Sequence, residues 1–207
     1  MNAAASPPPR ERDRSVFLNC PFDGPYRPLL DALVFTCVRA GFHPLPAPST
    51  GRSGTPRLDR ILKALEDCRY SIHDLSRSHG EGDQNLARFN MPLELGMAMA
   101  TRGRAPGDDA HEYLVLVRDA AGPHHRYISD LGGLDPQAYD GTVERLVAEL
   151  LKWLLDLPGA VTSLRPSEVV EALPRFDAAR RELETQWYGA GGRWIDLIEV
   201  AAAVPLR

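Results

Sequence analysis

Cysteine is scarce in this chain and carries no pattern. The three residues, Cys20, Cys37 and Cys68, lie far apart and form no CxxC or Cys/His pairing of the kind zinc sites use. Reduced thiols in a cytoplasmic protein are the expectation. No eighteen apolar residues run together without charge, and the opening MNAAASPPPRERDR lacks the apolar stretch of a signal peptide. Neither secretion nor membrane spanning is expected. Positive charge is not in excess either, since the formal net charge is -4 and the pI about 5.9. Nucleic acid is therefore not an expected partner, although a local basic pocket for one small anion stays open. The glycines of TGRSGT are followed by no GKS or GKT, and no GxSxG elbow occurs. The six histidines show no metal-ligand spacing: the adjacent His124 and His125 sit in a polar loop without a carboxylate or cysteine close by. No metal and no resident cofactor is expected.

What is present is the composition of a folded domain, with 43% hydrophobic residues over 207 positions. Three consecutive prolines and alternating charges mark residues 1–14 as a disordered leader. From Ser15 the chain alternates. SVFLNC (Ser15–Cys20) predicts a strand, and Pro28–Ala40 a helix with Leu29, Leu30, Leu33, Val34, Cys37 and Val38 on one side, stopped by Gly41. Phe42–Ala47 predicts an edge strand, because Pro44 and Pro46 donate nothing to a ladder. Helix is expected at Pro56–Cys68, strand at Tyr70–Leu75, helix at Met91–Thr101 and a fully covered strand at Tyr113–Val117. A short strand at Gln137–Tyr139 precedes a helix at Thr142–Leu157. Two more helices are expected at Pro166–Trp187 and Arg193–Val204, with Trp153, Trp187 and Trp194 as packing or interface residues.

This order predicts an α/β fold with a doubly wound, flavodoxin-like parallel sheet of four or five strands, helices on both faces and extra C-terminal helices. The domain proper would span 15–158 and a C-terminal helical extension 159–207. With strand order 2-1-3-4-5, the ligand crevice lies beyond the carboxyl ends of the first and third strands. In this chain those ends are Asn19–Asp23 and His73–Arg77.

Candidate chemistry gathers there. Glu94 is the only acid in NMPLELGMAMA, a segment apolar in every direction, expected to be a buried helix with Asn90 as N-cap and Pro92 in its first turn. The bland reading is that the helix dipole favours a first-turn acid. Asp74 closes the third strand ahead of Ser76 and Arg77, so a carboxylate, a hydroxyl and a guanidinium are candidates for one crevice. Two carboxylates near one site allow acid and nucleophile roles to separate; turn capping, or an Asp74–Arg77 pair, explains the same residues. Asn19, Phe22 and Asp23 are candidates to hold a base or ribose, or simply to build a turn. Arg88 and Asn90 are candidates for a phosphate at the helix N-terminus, with a solvated arginine as the rival.

Taken together, VFLNCPFD, CRYSIHDLSR and ARFNMPLELGMAMA resemble the superfamily of nucleoside 2-deoxyribosyltransferases, related nucleotide N-glycoside hydrolases and Toll/interleukin-1 receptor (TIR) domains, over roughly residues 15–140. The resemblance implies that Glu94 attacks the anomeric carbon of a sugar and that Asp74 assists with the base. The Trp-Cys-x-x-Glu signature of many TIR domains is replaced here by FNMPLE, so the likeness constrains fold more than substrate. The expectation is a nucleotide N-glycosidase, foremost a TIR-like NAD+ glycohydrolase, with NAD as substrate rather than cofactor and Asn19, Phe22, Asp23, Ser76, Arg77, Arg88 and Asn90 binding it. Its TIR branch implies bacterial, antiviral defence through a homo-oligomer formed on activation. A nucleoside or nucleoside monophosphate hydrolase or 2-deoxyribosyltransferase is the enzymatic alternative. A non-catalytic nucleotide-binding or assembly module is the other.

Overall fold

The computed structural model describes residues 11–46, 54–77, 90–102, 110–119, 133–189 and 192–206. Five strands form one all-parallel sheet: β1 (Ser15–Asn19), β2 (His43–Pro46), β3 (Tyr70–Asp74), β4 (Glu112–Val117) and β5 (Gln137–Ala138). Their order is β2-β1-β3-β4-β5, the common doubly wound order on which the expected crevice was placed. Six α-helices accompany them among the described residues: α1 (Arg27–Arg39), α2 (Arg57–Asp67), α3 (Asn90–Arg102), α4 (Val143–Leu155), α5 (Pro166–Gln186) and α6 (Trp194–Ala203). None is long and apolar enough to cross a membrane.

Alternation along the strands divides the core. Val16, Leu18, Tyr70 and Ile72 join α1, α4, α5 and α6 in one large apolar cluster, whereas Phe17 meets Ile61 and Leu65 of α2 and Ala98 of α3. Period-two side chains thus place α1 and α4 on one face and α2 and α3 on the other. The C-terminal helices close the α1 side: Phe176 of α5 is fully buried and stacks on Phe35 at 5.1 Å. A buried ionic group fastens the same contact: Asp31 accepts a hydrogen bond from Arg27 Nε at 2.9 Å and forms an ion pair with Arg180 at the same distance. The 159–207 segment therefore shares a core with the domain it follows.

Local signals explain the boundaries. Pro28 sits in the first turn of α1, where its missing N–H is harmless. Gly41 ends that helix at φ +91, with its N–H on Val38 O and the Phe42 N–H on Cys37 O, the paired bonds of a Schellman motif. Thr142 caps α4 through its side chain on the Arg145 N–H. β2 is an edge strand whose prolines cannot recruit another strand, and the Trp194 indole donates to Pro44 O at 2.7 Å. One expectation fails. Helix α3 is not buried all round, since Leu93, Gly96 and Ala100 are exposed while Glu94 is buried.

Truncating Phe176→Ala should lower the unfolding free energy by about 3–5 kcal/mol while leaving a single transition in urea. Two separated transitions would show that the C-terminal helices do not share the core.

Candidate active site at the carboxyl edge

The carboxyl ends of β1 and β3 bring together most of the residues singled out from sequence. Asn19 and His73 are lateral neighbours in the β1–β3 register and are both fully buried. Asn19 Nδ2 lies 2.9 Å from His73 Nδ1 and donates to Met91 O, in the first turn of α3, also at 2.9 Å. Both amide hydrogens are thus engaged inside the protein, whereas Asn19 Oδ1 is buried without a hydrogen-bond partner.

One turn along α3, Glu94 retains only 2% of its surface. Its Oε1 is 3.6 Å from Nη2 of Arg57, the first residue of α2, while its Oε2 is buried without a partner. Burial raises the Glu94 pKa, and the Arg57 charge pulls back against it. A buried half-satisfied carboxylate is costly to keep, so a helix that conceals its one acid while exposing Leu93 at 58% runs against hydropathy.

Asp74, the next residue after His73 in β3, lies on the opposite face. Parity sets it with Tyr70 and Ile72 on the α1 side, away from Ser71 and His73. Its Oδ2 receives the hydroxyls of Tyr26 and, at 2.7 Å, of Tyr139, and its Oδ1 receives the Ser76 N–H at 2.7 Å. Ser76 Oγ stands 3.1 Å from the Tyr139 hydroxyl. Burial first, then the Asp74 charge, raises both tyrosine pKa values, so both phenols remain donors. Asp23 caps the turn at Gly24–Tyr26 by accepting the Tyr26 N–H at 3.0 Å, and its other oxygen pairs with Arg77 at 2.7 Å. The Arg77 guanidinium lies over the Tyr26 ring, 5.8 Å from its centroid. Arg77 therefore pairs with Asp23, and Asp74 caps the turn after β3.

Cys20, the residue after β1, is buried as well. Its thiol is held well above the usual range by burial, then by the charges of Asp74, Cys37 and Glu94. That influence places both acids near it and keeps it a protonated, weakly nucleophilic thiol.

The remaining candidates fall elsewhere. Phe22 is 45% exposed and lines a cavity of about 820 Å³ with Leu45, Arg60, Leu183 and Trp194. A smaller cavity, about 380 Å³, lies by Arg102, Tyr113 and Trp153. Neither is lined by Glu94 or Asp74. Asn90 is exposed and forms the first residue of α3 rather than preceding it, and Arg88 lies outside the described residues. Among the described residues no three His, Cys, Asp or Glu side chains converge to hold a metal ion.

Sequence reading missed four participants: Tyr26, Tyr139, His73 and Arg57. Tyr139 had the one available signal, a polar aromatic at a strand's carboxyl end. The molecule so defined is an all-parallel doubly wound α/β protein with a concealed glutamate at its carboxyl edge. No protein-family model and no curated protein matches the chain.

Burial also keeps His73 and His111 neutral, lowering their pKa values to about 3 and about 4 against an ordinary 6.5. Below 6.5 the unfolded chain binds two protons that the folded chain refuses, so stability falls as pH drops toward 4. The slope from this pair approaches about 2.7 kcal/mol per pH unit near pH 5. Urea titrations from pH 4.5 to 7 check it. Replacing His73→Gln should flatten the slope by about half, and an unchanged slope would contradict a buried neutral imidazole.

Proposed function

We propose that the protein cleaves the N-glycosidic bond of a nucleotide, with NAD+ the foremost substrate and Glu94 the group that meets the anomeric carbon. The supporting observation is the inverted surface of α3, which buries its carboxylate at 2% exposure, with one oxygen unpartnered, and leaves Leu93 in solvent. A carboxylate withdrawn from water and only loosely paired is suited to an oxocarbenium-like centre, as nucleophile or as compensating charge. When the bond breaks, its electron pair leaves with the nicotinamide ring nitrogen and cancels that ring's positive charge. No general acid is needed for that departure. Water then supplies the hydroxyl at the anomeric carbon and releases a proton to solvent.

Asp74 has both oxygens engaged as acceptors, which suits a role in holding Tyr26 and Tyr139 rather than in moving a proton. Arg57, half exposed beside Glu94, covers the carboxylate. Substrate entry accordingly displaces this guanidinium, and a nucleotide phosphate offers it a replacement anion. Asn19, Asp23, Ser76 and Arg77 line the same strand ends, and Phe22, Arg88 and Asn90 remain candidates for the outer parts of the ligand. Assembly into a homo-oligomer and a part in antiviral defence go with this reading through the TIR resemblance.

The concealment of Glu94 from both cavities favours one rival, a module that binds nucleotide without turning it over. Base release from a panel of NAD+, nucleosides and nucleoside monophosphates separates the readings. Glu94→Gln keeps shape and removes charge, so release should fall roughly 10³-fold or more. The acidic limb of the wild-type rate profile should lie above 4.5, the ordinary glutamate value, because activity needs the ionised form of a group whose pKa burial raises. Release at an undiminished rate in Glu94→Gln would remove this residue from the chemistry.

A further inference from the structure

Behind Asn19 runs a line of buried polar groups that the proposed chemistry does not use. His73 Nε2 is 2.9 Å from Ser71 Oγ, Ser71 Oγ is 2.8 Å from His111 Nε2, and His111 Nδ1 is 3.1 Å from Cys68 O. Asn19, Ser71, His73 and His111 each have no accessible surface. The line begins and ends on main-chain carbonyls, Met91 O and Cys68 O, and carbonyls only accept. That fixes every proton. His111 must donate from Nδ1 to Cys68 O, so as a neutral ring it accepts at Nε2 from the Ser71 hydroxyl. Ser71 then accepts from His73 Nε2–H, and His73 Nδ1 accepts from Asn19. The Asn19 carboxamide must turn its nitrogen toward both His73 and Met91 O, which is the orientation observed. One polarity satisfies all the contacts with both imidazoles neutral. An added proton on His73 would set two donors face to face and break the link to Asn19.

We infer that Asn19 is the positioning residue of Glu94: its carboxamide, held in one orientation by the His73–Ser71–His111 line, clamps Met91 O and so fixes the first turn of α3 that carries the carboxylate inward. The clamp answers why α3 turns its acid inward, which its own hydropathy does not dictate. Met91 precedes Glu94 by three residues, so the anchored carbonyl lies on the same side of the helix as the carboxylate. The rings of Phe17 and Tyr113 flank His73 at 6.3 and 6.5 Å, and Arg12 adds a charge near His111 that opposes its protonation. The charge near Glu94 itself is that of Arg57.

The functional weight of this clamp rests on Glu94 being the reacting group, but its geometry is testable without turnover. Nitrogen NMR of the wild-type protein should show His73 as the Nε2–H tautomer and His111 as the Nδ1–H tautomer through pH 5. Either ring found in the other tautomer, or doubly protonated there, overturns the assignment, whatever any variant does. Carboxyl-carbon NMR should show Glu94 titrating above 4.5 in wild type. In Asn19→Ala the midpoint should fall back toward 4.5 as α3 frays and water reaches the carboxylate. Ser71→Ala should move it the same way, and Ser71→Thr, which keeps the hydroxyl, should restore it. A folded Asn19→Ala protein with Glu94 titrating as in wild type sinks the inference. In base release, Asn19→Ala should lower kcat about 10²-fold with little change in KM. If Glu94→Gln abolishes release while Asn19→Ala does not, the inference fails and the glycosidase reading survives. If Glu94→Gln has no effect while the tautomers and midpoints come out as stated, the clamp stands and that reading fails.

Discussion

One main-chain contact, Asn19 Nδ2 to Met91 O, holds the site in shape. A helix as uniformly apolar as α3 has no hydrophilic face to steer it, so hydropathy leaves its rotation nearly free. Anchoring its first turn to the end of β1 decides which side faces the sheet. The decision puts Glu94 inside and Leu93 outside. Hydropathy gives opposing signals here, since turning Glu94 outward would relieve a buried carboxylate but uncover Leu95 and Ala98. The stability that β1, β3 and their covering helices supply is what holds the acid in that place.

The sheet has two chemical faces at its carboxyl edge. On the α3 side a neutral chain of amide, imidazole and hydroxyl runs inward from Met91 O, every side chain in it buried and ordered by the carbonyls at its ends. On the α1 side Asp74 gathers two phenols and a backbone N–H, and Asp23 ties Arg77 to the first turn. Cys20 lies within the charge field of both acids and takes part in neither network. The two carboxylates thus have separate surroundings, one dry and loosely paired, the other saturated with donors.

Much of the fold was readable from the residues. Strand and helix bounds fall within a residue or two of expectation, because hydrophobic period and the stops at Gly41, Pro21 and Thr142 are local properties. The strand order was not legible in the residues; the common doubly wound order 2-1-3-4-5 served as the working assumption, and the sheet has that order. Glu94 stood out as a lone charge, but its inward turn did not, since that depends on Asn19, 72 positions before the carbonyl it holds. Tyr26 and Tyr139 escaped for a similar reason: a tyrosine reads as an apolar core residue until its hydroxyl is matched to Asp74, 48 and 65 positions away. His73 looked like an isolated histidine because only Ser71 is close to it in sequence, while Asn19 lies 54 positions away. Asn90 carried a capping composition yet forms the first residue of the helix, one position past the cap.

The most direct measurement is where a nucleotide touches the folded protein. With NAD+ added, carboxyl-carbon NMR of Glu94 and nitrogen NMR of the Trp194 indole report two different places, the carboxyl edge and the groove beside β2. A large shift is expected at Glu94 as Arg57 leaves it, larger than any at Trp194. A shift at Trp194 alone, with Glu94 silent at saturation, would contradict it.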